Sequence, residues 1–92
     1  MTDAELLQEV KDGLGVTGTY QDKTLQSYID EVREYMLDAG VAPAVIKSRV
    51  SKGAIMRGVS DLWSFGSAAF STYFMQRVVQ LAFKKESEVE DG

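Results

Sequence analysis

Asp30, Glu31, Glu34 and Asp38 fall in the stretch DEVREYMLD, and on a helix this spacing gathers all four carboxylates within roughly 100° of the wheel. Clustered carboxylates can share general acid and base work or hold a hard cation, given a ligand-bearing loop or a desolvated cleft. The neighbouring sequence offers neither, so these four form an acidic ridge that faces solvent or a partner. Lys47, Arg49, Lys52 and Arg57 could neutralise phosphates, but on one helix they scatter over about 280° and make no basic stripe. Gly13, Gly15 and Gly18 in GLGVTG match the dinucleotide pattern GxGxxG, which works only when a strand precedes it and aims the backbone at a pyrophosphate. A helical pattern precedes it here, so these glycines serve a helix cap and a turn. The chain has no histidine and no cysteine, which removes the usual base near neutral pH, the commonest metal ligand and every disulfide. No catalytic, cofactor or metal site is expected, and the protein is not read as an enzyme.

The elements that carry these residues follow from capping and apolar spacing. Thr2 and Glu5 fit a capping box, and Leu6, Leu7, Val10 and Leu14 follow at helical intervals. Asp22 or Thr19 is placed to cap a second helix, whose stripe of Leu25, Tyr28, Ile29, Val32, Tyr35, Met36 and Ala39 spans on the order of 120°. Gly40 ends it, and Pro43 suits the first turn of a third helix. That helix is predicted to run unbroken over residues 43 to 64. Its apolar and small residues surround most of the wheel, so it is expected to be the central element. Gly53 and Gly58 inside it cost about 1 kcal/mol each relative to Ala, so either close approach by a neighbouring helix offsets this, the favoured reading, or the helix bends there. Ser67 is expected to cap a fourth helix over residues 68 to 84, with Phe70, Tyr73, Phe74, Val78, Leu81 and Ala82 on its apolar side. Arg77 interrupts that side, and Asp61 or the acidic ridge is the expected partner. The fold class is therefore all-α, a small bundle of about four helices with a long central third helix. It occupies residues 1–85, and the charged residues 86–92 form an acidic flexible tail.

Charge divides sharply along the chain. Residues 1 to 40 carry nine acids and three bases, for −6; residues 41 to 85 carry one acid and seven bases, for +6; four more acids lie in 86 to 92. Such charges pair within one fold or stay solvated in the general case, and they also suit contacts in which the acidic part of one copy meets the basic part of the next. Residues 58 to 81 also hold the single tryptophan and three of the four phenylalanines, which serve the core, a docking surface, or both. A chain of 92 residues buries only about 60 to 65% of its unfolded surface and gains from packing against neighbours. The acid-rich N-terminus does not resemble a secretion signal, and no apolar run nears the ~18 residues of a membrane span. Residence in the host cytoplasm until assembly, with no membrane contact, is the expectation.

The order of pieces has a parallel. The segments LLQEVKDGLGV, DKTLQSYIDEVREYML, GVAPAVIKSRVSKGAIMRGVSDLWSFGS and YFMQRVVQLA resemble, in sequence and spacing, the small head-tail connector proteins of tailed bacteriophages and prophages. The most specific are VKDGLGV, GVSDLW and YFMQRVVQL. The resemblance implies an all-helical adaptor that oligomerises beneath the portal after DNA packaging into a ring of about twelve copies. Such a ring extends the DNA channel at the head-tail junction and docks the next head-completion or tail protein, while DNA passes through without specific binding. DLWSFG and YFMQRV carry over as structural positions only.

For this adaptor the expected subunit interface sets Asp30, Glu31, Glu34 and Asp38 against Arg49, Lys52, Arg57 and Arg77. Trp63, Phe65 and Phe70 are the expected docking aromatics. The competing reading is a small helix-turn-helix DNA-binding regulator, with its corner at DAGVAP. The acidic total opposes it, because neutralised phosphates dominate affinity for DNA.

Overall fold

Thr2 opens the first helix as the capping pattern requires. Its hydroxyl accepts the Glu5 N–H at 3.1 Å, and the Glu5 carboxylate accepts the Thr2 N–H at 2.9 Å. The Thr2 backbone bond and then its hydroxyl hold the Glu5 carboxyl below its ordinary pKa, so the box is complete at neutral pH and loosens as pH falls through that lowered value. The computed structural model describes residues 1–66 and 70–85. Its helices are α1, Asp3–Leu14; α2, Asp22–Asp38; α3, Pro43–Lys47; α4, Lys52–Phe65; and α5, Thr72–Ala82, with a 3-10 turn at Arg49–Ser51. Among the described residues no strand occurs. The all-α class holds, with five helices where about four were expected.

Gly15 caps α1 in the left-handed region at φ 71°, its N–H directed at the Asp12 and Lys11 carbonyls. The glycine-rich segment therefore ends a helix and turns the chain. Lys11 then folds over this turn: its ammonium donates to the Gly18 carbonyl and lies 2.8 Å from Asp22 Oδ1. Asp22 was expected to cap α2. It is instead the first residue of the helix, its carboxylate drawn to Lys11, and the N-cap is Gln21 without a side-chain bond. Thr19 contributes its carbonyl, which accepts the Asp22 N–H at 3.2 Å.

The expected continuous helix over 43 to 64 is broken at Ser48, whose ψ of 155° is extended. Ser48 Oγ accepts the Val50 N–H at 3.3 Å, and Ser51 Oγ donates to the Val45 carbonyl at 2.7 Å. Two serines three residues apart thus offer the backbone side-chain partners in place of helical ones, the competition that disfavours serine in helix interiors. The long central third helix becomes α3, a 3-10 turn and α4. Position survives the break: α4 packs on α1, α2 and α5, with its most extensive contact to α2. Its buried residues Ala54, Ile55, Gly58, Val59, Asp61 and Leu62 cover about 160° of the wheel.

Gly58 is where three helices meet. A Cβ there would stand 2.7 Å from the Phe74 ring and 2.9 Å from a Val32 methyl, whereas one at Gly53 would meet nothing within 4 Å. Close approach therefore explains Gly58 and not Gly53. Fully buried Phe74 fills the resulting contact, joined at its edge by Phe70 and Tyr35, with ring centroids 4.6 Å apart for Phe70–Phe74 and 5.0 Å for Tyr35–Phe70. Helix α5 starts at Thr72, later than expected, because the cap is Ser71, whose Oγ accepts the Phe74 N–H at 3.1 Å. Phe70 and Ser71 are not helical. Ser67 and the expected start at 68 lie outside the described residues, as does the tail 86–92. Buried Asp61 fixes the entry to α5 by accepting the Ser71 N–H at 2.9 Å.

Three substitutions test this arrangement by denaturant unfolding. Gly58→Ala is expected to destabilise the fold, since overpacking costs about 1–3 kcal/mol and outweighs a propensity gain of up to about 1 kcal/mol. Gly53→Ala has only the gain and should stabilise; the same sign at both sites would contradict the packing described. Asp61→Ala should cost about 1–3 kcal/mol by leaving the Ser71 N–H without its acceptor, and Asp61→Asn, which retains an acceptor oxygen, should recover part of that loss.

Candidate interaction surfaces

Helix α2 buries Leu25, Ile29, Val32 and Met36 at intervals of four, three and four, and this fixes what it turns outward. Asp30, Glu31, Glu34 and Asp38 are all exposed. Gln26 donates to Asp30 Oδ1 at 3.0 Å. None of the four carboxylates belongs to an ion pair among the described residues, and no cluster of acids there could enclose a metal ion. The ridge is a strip of solvated negative charge.

At the edge of the ridge the surface changes character. Leu37 is 46% exposed and borders an open groove of about 420 Å³, lined also by Pro43, Ile46 and Lys47 from α3, by Arg33, and by the N-terminal residues of the chain. Arg33 crosses to Asp3 at 2.9 Å and ties α2 to α1 along one rim. Sequence reasoning missed this groove because it forms between α2, α3 and α1, three segments whose wheels separately show no unpartnered face.

The expected basic partners are distributed over several elements. Arg49 is exposed in the 3-10 turn, and Lys52, at the head of α4, lies 3.5 Å from Glu9 of α1. Arg57 Nε is 3.7 Å from Asp61 Oδ1, with its guanidinium 5.6 Å from the Tyr73 ring centroid. Arg77 donates to Gln80 Oε1 at 3.0 Å. The expectation that Arg77 pairs with Asp61 or the ridge inside the chain is therefore corrected. Asp61 is held by the Ser71 N–H at the start of α5, and Arg77 lies six residues further on, about 9 Å along the axis. The structure brings no member of the ridge to Arg49, Lys52, Arg57 or Arg77 within one copy. Lys47, Arg49, Lys52 and Arg57 sit on α3, the turn and α4, so they share no recognition helix that could enter a groove of DNA.

The aromatic residues divide by position. Phe74 is core and Phe70 is packed at its edge, while Trp63 is 37% and Phe65 is 72% exposed at the C-terminal end of α4. Helix α5 adds a feature not singled out in the sequence. Phe74, Val78 and Leu81 face inward, and on the other side Met75, Val79 and Phe83 are exposed at successive intervals of four, Phe83 most of all. The spacing was legible, but the expected apolar side was Phe70, Tyr73, Phe74, Val78, Leu81 and Ala82, with Met75 and Val79 assigned to neither face; the structure shows that side to be narrower, Tyr73 being exposed. Single exposed apolar residues are ordinary; an aligned set on a small domain marks a contact surface.

No helix among the described residues is long and apolar enough to cross a membrane. The family described as phage gp6-like head-tail connector protein matches over residues 4–88. No curated protein and no solved structure matches the chain. With five helices in the order set by the capping and turn residues, surfaces suited to contact, and a family match over nearly its whole length, the chain belongs to the phage gp6-like head-tail connector family, whose role is structural.

Proposed function

We propose that this connector closes into a ring of about a dozen copies beneath the portal, where it extends the DNA channel and docks the next head-completion or tail protein. The observation that carries this reading is the acidic ridge of α2, exposed along its length and without an ion pair among the described residues. In the proposed interface Asp30, Glu31, Glu34 and Asp38 of one copy meet Arg49, Lys52, Arg57 and Arg77 of the next. Each exposed pair contributes at most about 1 kcal/mol. Their collective field orients the encounter and opposes a wrong register. A net charge of −4 offers DNA little phosphate neutralisation, which suits a channel that DNA must traverse.

Of the three expected docking aromatics, Trp63 and Phe65 are exposed and can anchor a partner. Phe70, packed against Tyr35 and Phe74, supports the surface from beneath.

Native mass spectrometry over a concentration series, at low and moderate ionic strength, tests the ring. The wild-type chain should give a discrete species of about ten or more subunits, and reversing Glu34 and Asp38 to Lys should weaken assembly and reduce its salt sensitivity. Assembly unchanged by the reversal would remove the ridge from the interface. For docking, Phe65→Ala should leave stability within about 0.5 kcal/mol and weaken partner binding by about 1–2 kcal/mol. Phe70→Ala should instead lower stability by about 2–3 kcal/mol. A Phe65 variant that loses stability and keeps its binding would mark Phe65 as a packing residue.

A further inference from the structure

The groove beside Leu37 joins an apolar floor to a cationic rim. Leu37, Pro43 and Ile46 form the floor; Arg33, Lys47 and the ammonium of Met1, 3.5 Å from the Lys47 carbonyl, stand around it. Asp3 is the one acid among the lining residues, and Arg33 Nη1 lies 2.9 Å from its carboxylate. A guanidinium carries more donors than one carboxylate uses. Lys47 is exposed and joins no ion pair among the described residues. On the wheel of α2, Arg33 lies about 40° to one side of Leu37, and the ridge carboxylates lie about 20° to 120° to the other. Leu37 therefore separates the cations of the groove from the ridge. A groove of about 420 Å³ with this lining is complementary to a peptide that carries several carboxylates and one apolar side chain.

The chain beyond α5 has that composition. In residues 86–92, ESEVEDG, the acids Glu86, Glu88, Glu90 and Asp91 surround a single apolar residue, Val89. We infer that this segment of one copy lies in the groove of the next, with Val89 on Leu37 and Ile46 and its carboxylates against Lys47 and Arg33. The inference rests on the ring reading. A neighbouring copy supplies the segment more easily than the groove's own chain does. Phe70 meets Tyr35, while Phe74 meets Tyr35 and shares with Val32 the space beside Gly58, so α5 runs back along α2 and away from Leu37. Nine residues from Phe74 to Phe83 and five from Val32 to Leu37 put the end of α5 about 20 Å from the groove. Val89, six residues past Phe83, covers that distance only at full extension. In the proposed ring, by contrast, Arg77 of one copy meets the ridge of the next, which delivers the end of α5 to the neighbour's α2 and the groove beside it. Such a contact is heterologous, and repeated with a constant rotation it closes.

The absence of cysteine from the chain makes cross-linking a direct test. Full-length Leu37→Cys and Val89→Cys chains, mixed with oxidised glutathione as oxidant, should give a disulfide-linked heterodimer in about tenfold greater yield than either variant alone. Adding Lys47→Glu to the first chain should lower that yield. Equal yields in the mixture and in the separate variants would overturn the contact. A dilute chain bearing both cysteines should stay open; ready closure within one chain would assign the groove to the chain's own tail and overturn the exchange. Assembly supplies a second arm. Lys47→Glu alone, or Glu88→Lys with Glu90→Lys, should raise the concentration needed for ring formation by about tenfold while leaving the helical circular dichroism unchanged. All three substitutions in one chain should restore assembly. Variants that assemble as the wild type does would overturn the tail contact and leave the ring reading standing. A wild-type chain that forms no ring, with or without a portal, would remove the ring reading, and the cross-link alone would then decide the contact.

Discussion

The close approach at Gly58 organises the molecule. Because that position has no side chain, the Phe74 ring and the Val32 methyls reach the backbone of α4, so α2 and α5 both pack against one turn of one helix. Helix α5 has no other comparably close seat. Its inward residues Phe74, Val78 and Leu81 are all committed to this side, and its entry is fixed by the carboxylate of Asp61 three residues beyond Gly58. The outward placing of Val79 follows from this, since at 100° per residue it lies about 130° from the centre of the inward set, with Met75 on the flank about 90° away and Phe83 following the last turn. Core geometry therefore sets which apolar residues remain available for a neighbour.

The charge distribution has the same logic of commitment and remainder. Within the acidic half, Asp3 is taken by Arg33 and Asp22 by Lys11, and Glu9 reaches Lys52 in the basic half. Glu5 is used in the capping box, and Asp12 accepts a hydrogen bond from Gln8. After these assignments Glu31, Glu34 and Asp38 have no partner among the described residues and share one exposed side of α2. The division into −6 and +6 is thus only slightly cancelled by folding, and its unspent part lies where an adjoining copy can meet it.

Local chemistry was legible where one element decided it. The capping box at Thr2, the glycine cap at Gly15 and the ridge of α2 are all consequences of residue type and a 3.6 period and appear as expected, as does the α2 stripe except for Ala39, which lies past the helix end and is exposed. Failures occurred where a side chain chose among distant or competing partners. Ser48 broke the third helix because hydroxyls compete with backbone groups, a contest no apolar wheel displays. Asp61 served Ser71 and Arg57 instead of Arg77, since a wheel gives an angle and says nothing of position along the axis. Lys11 did carry a signal: four residues after Leu7 and three before Leu14, it stands on the apolar side of α1 and is correspondingly buried. What α1 alone could not show was that the turn after it would bring a carbonyl and a carboxylate to the ammonium.

A connector must satisfy two opposing demands: free copies must stay dispersed, and assembled ones must hold. Exposed Phe65, Val79 and Phe83 favour association, and for a chain this small the added burial compensates a modest core. Left unopposed, such residues would associate indiscriminately. The ridge and the net charge of −4 act against that outcome, because copies that meet ridge to ridge repel while a copy offering cations to the ridge is attracted. Specificity in the proposed ring therefore comes from making most encounters unfavourable, and strength from the few apolar contacts that the correct orientation brings together. The ridge lies on α2 and the apolar residues on the end of α4 and on α5 and its C-cap, and the packing at Gly58 holds those helices in fixed relation.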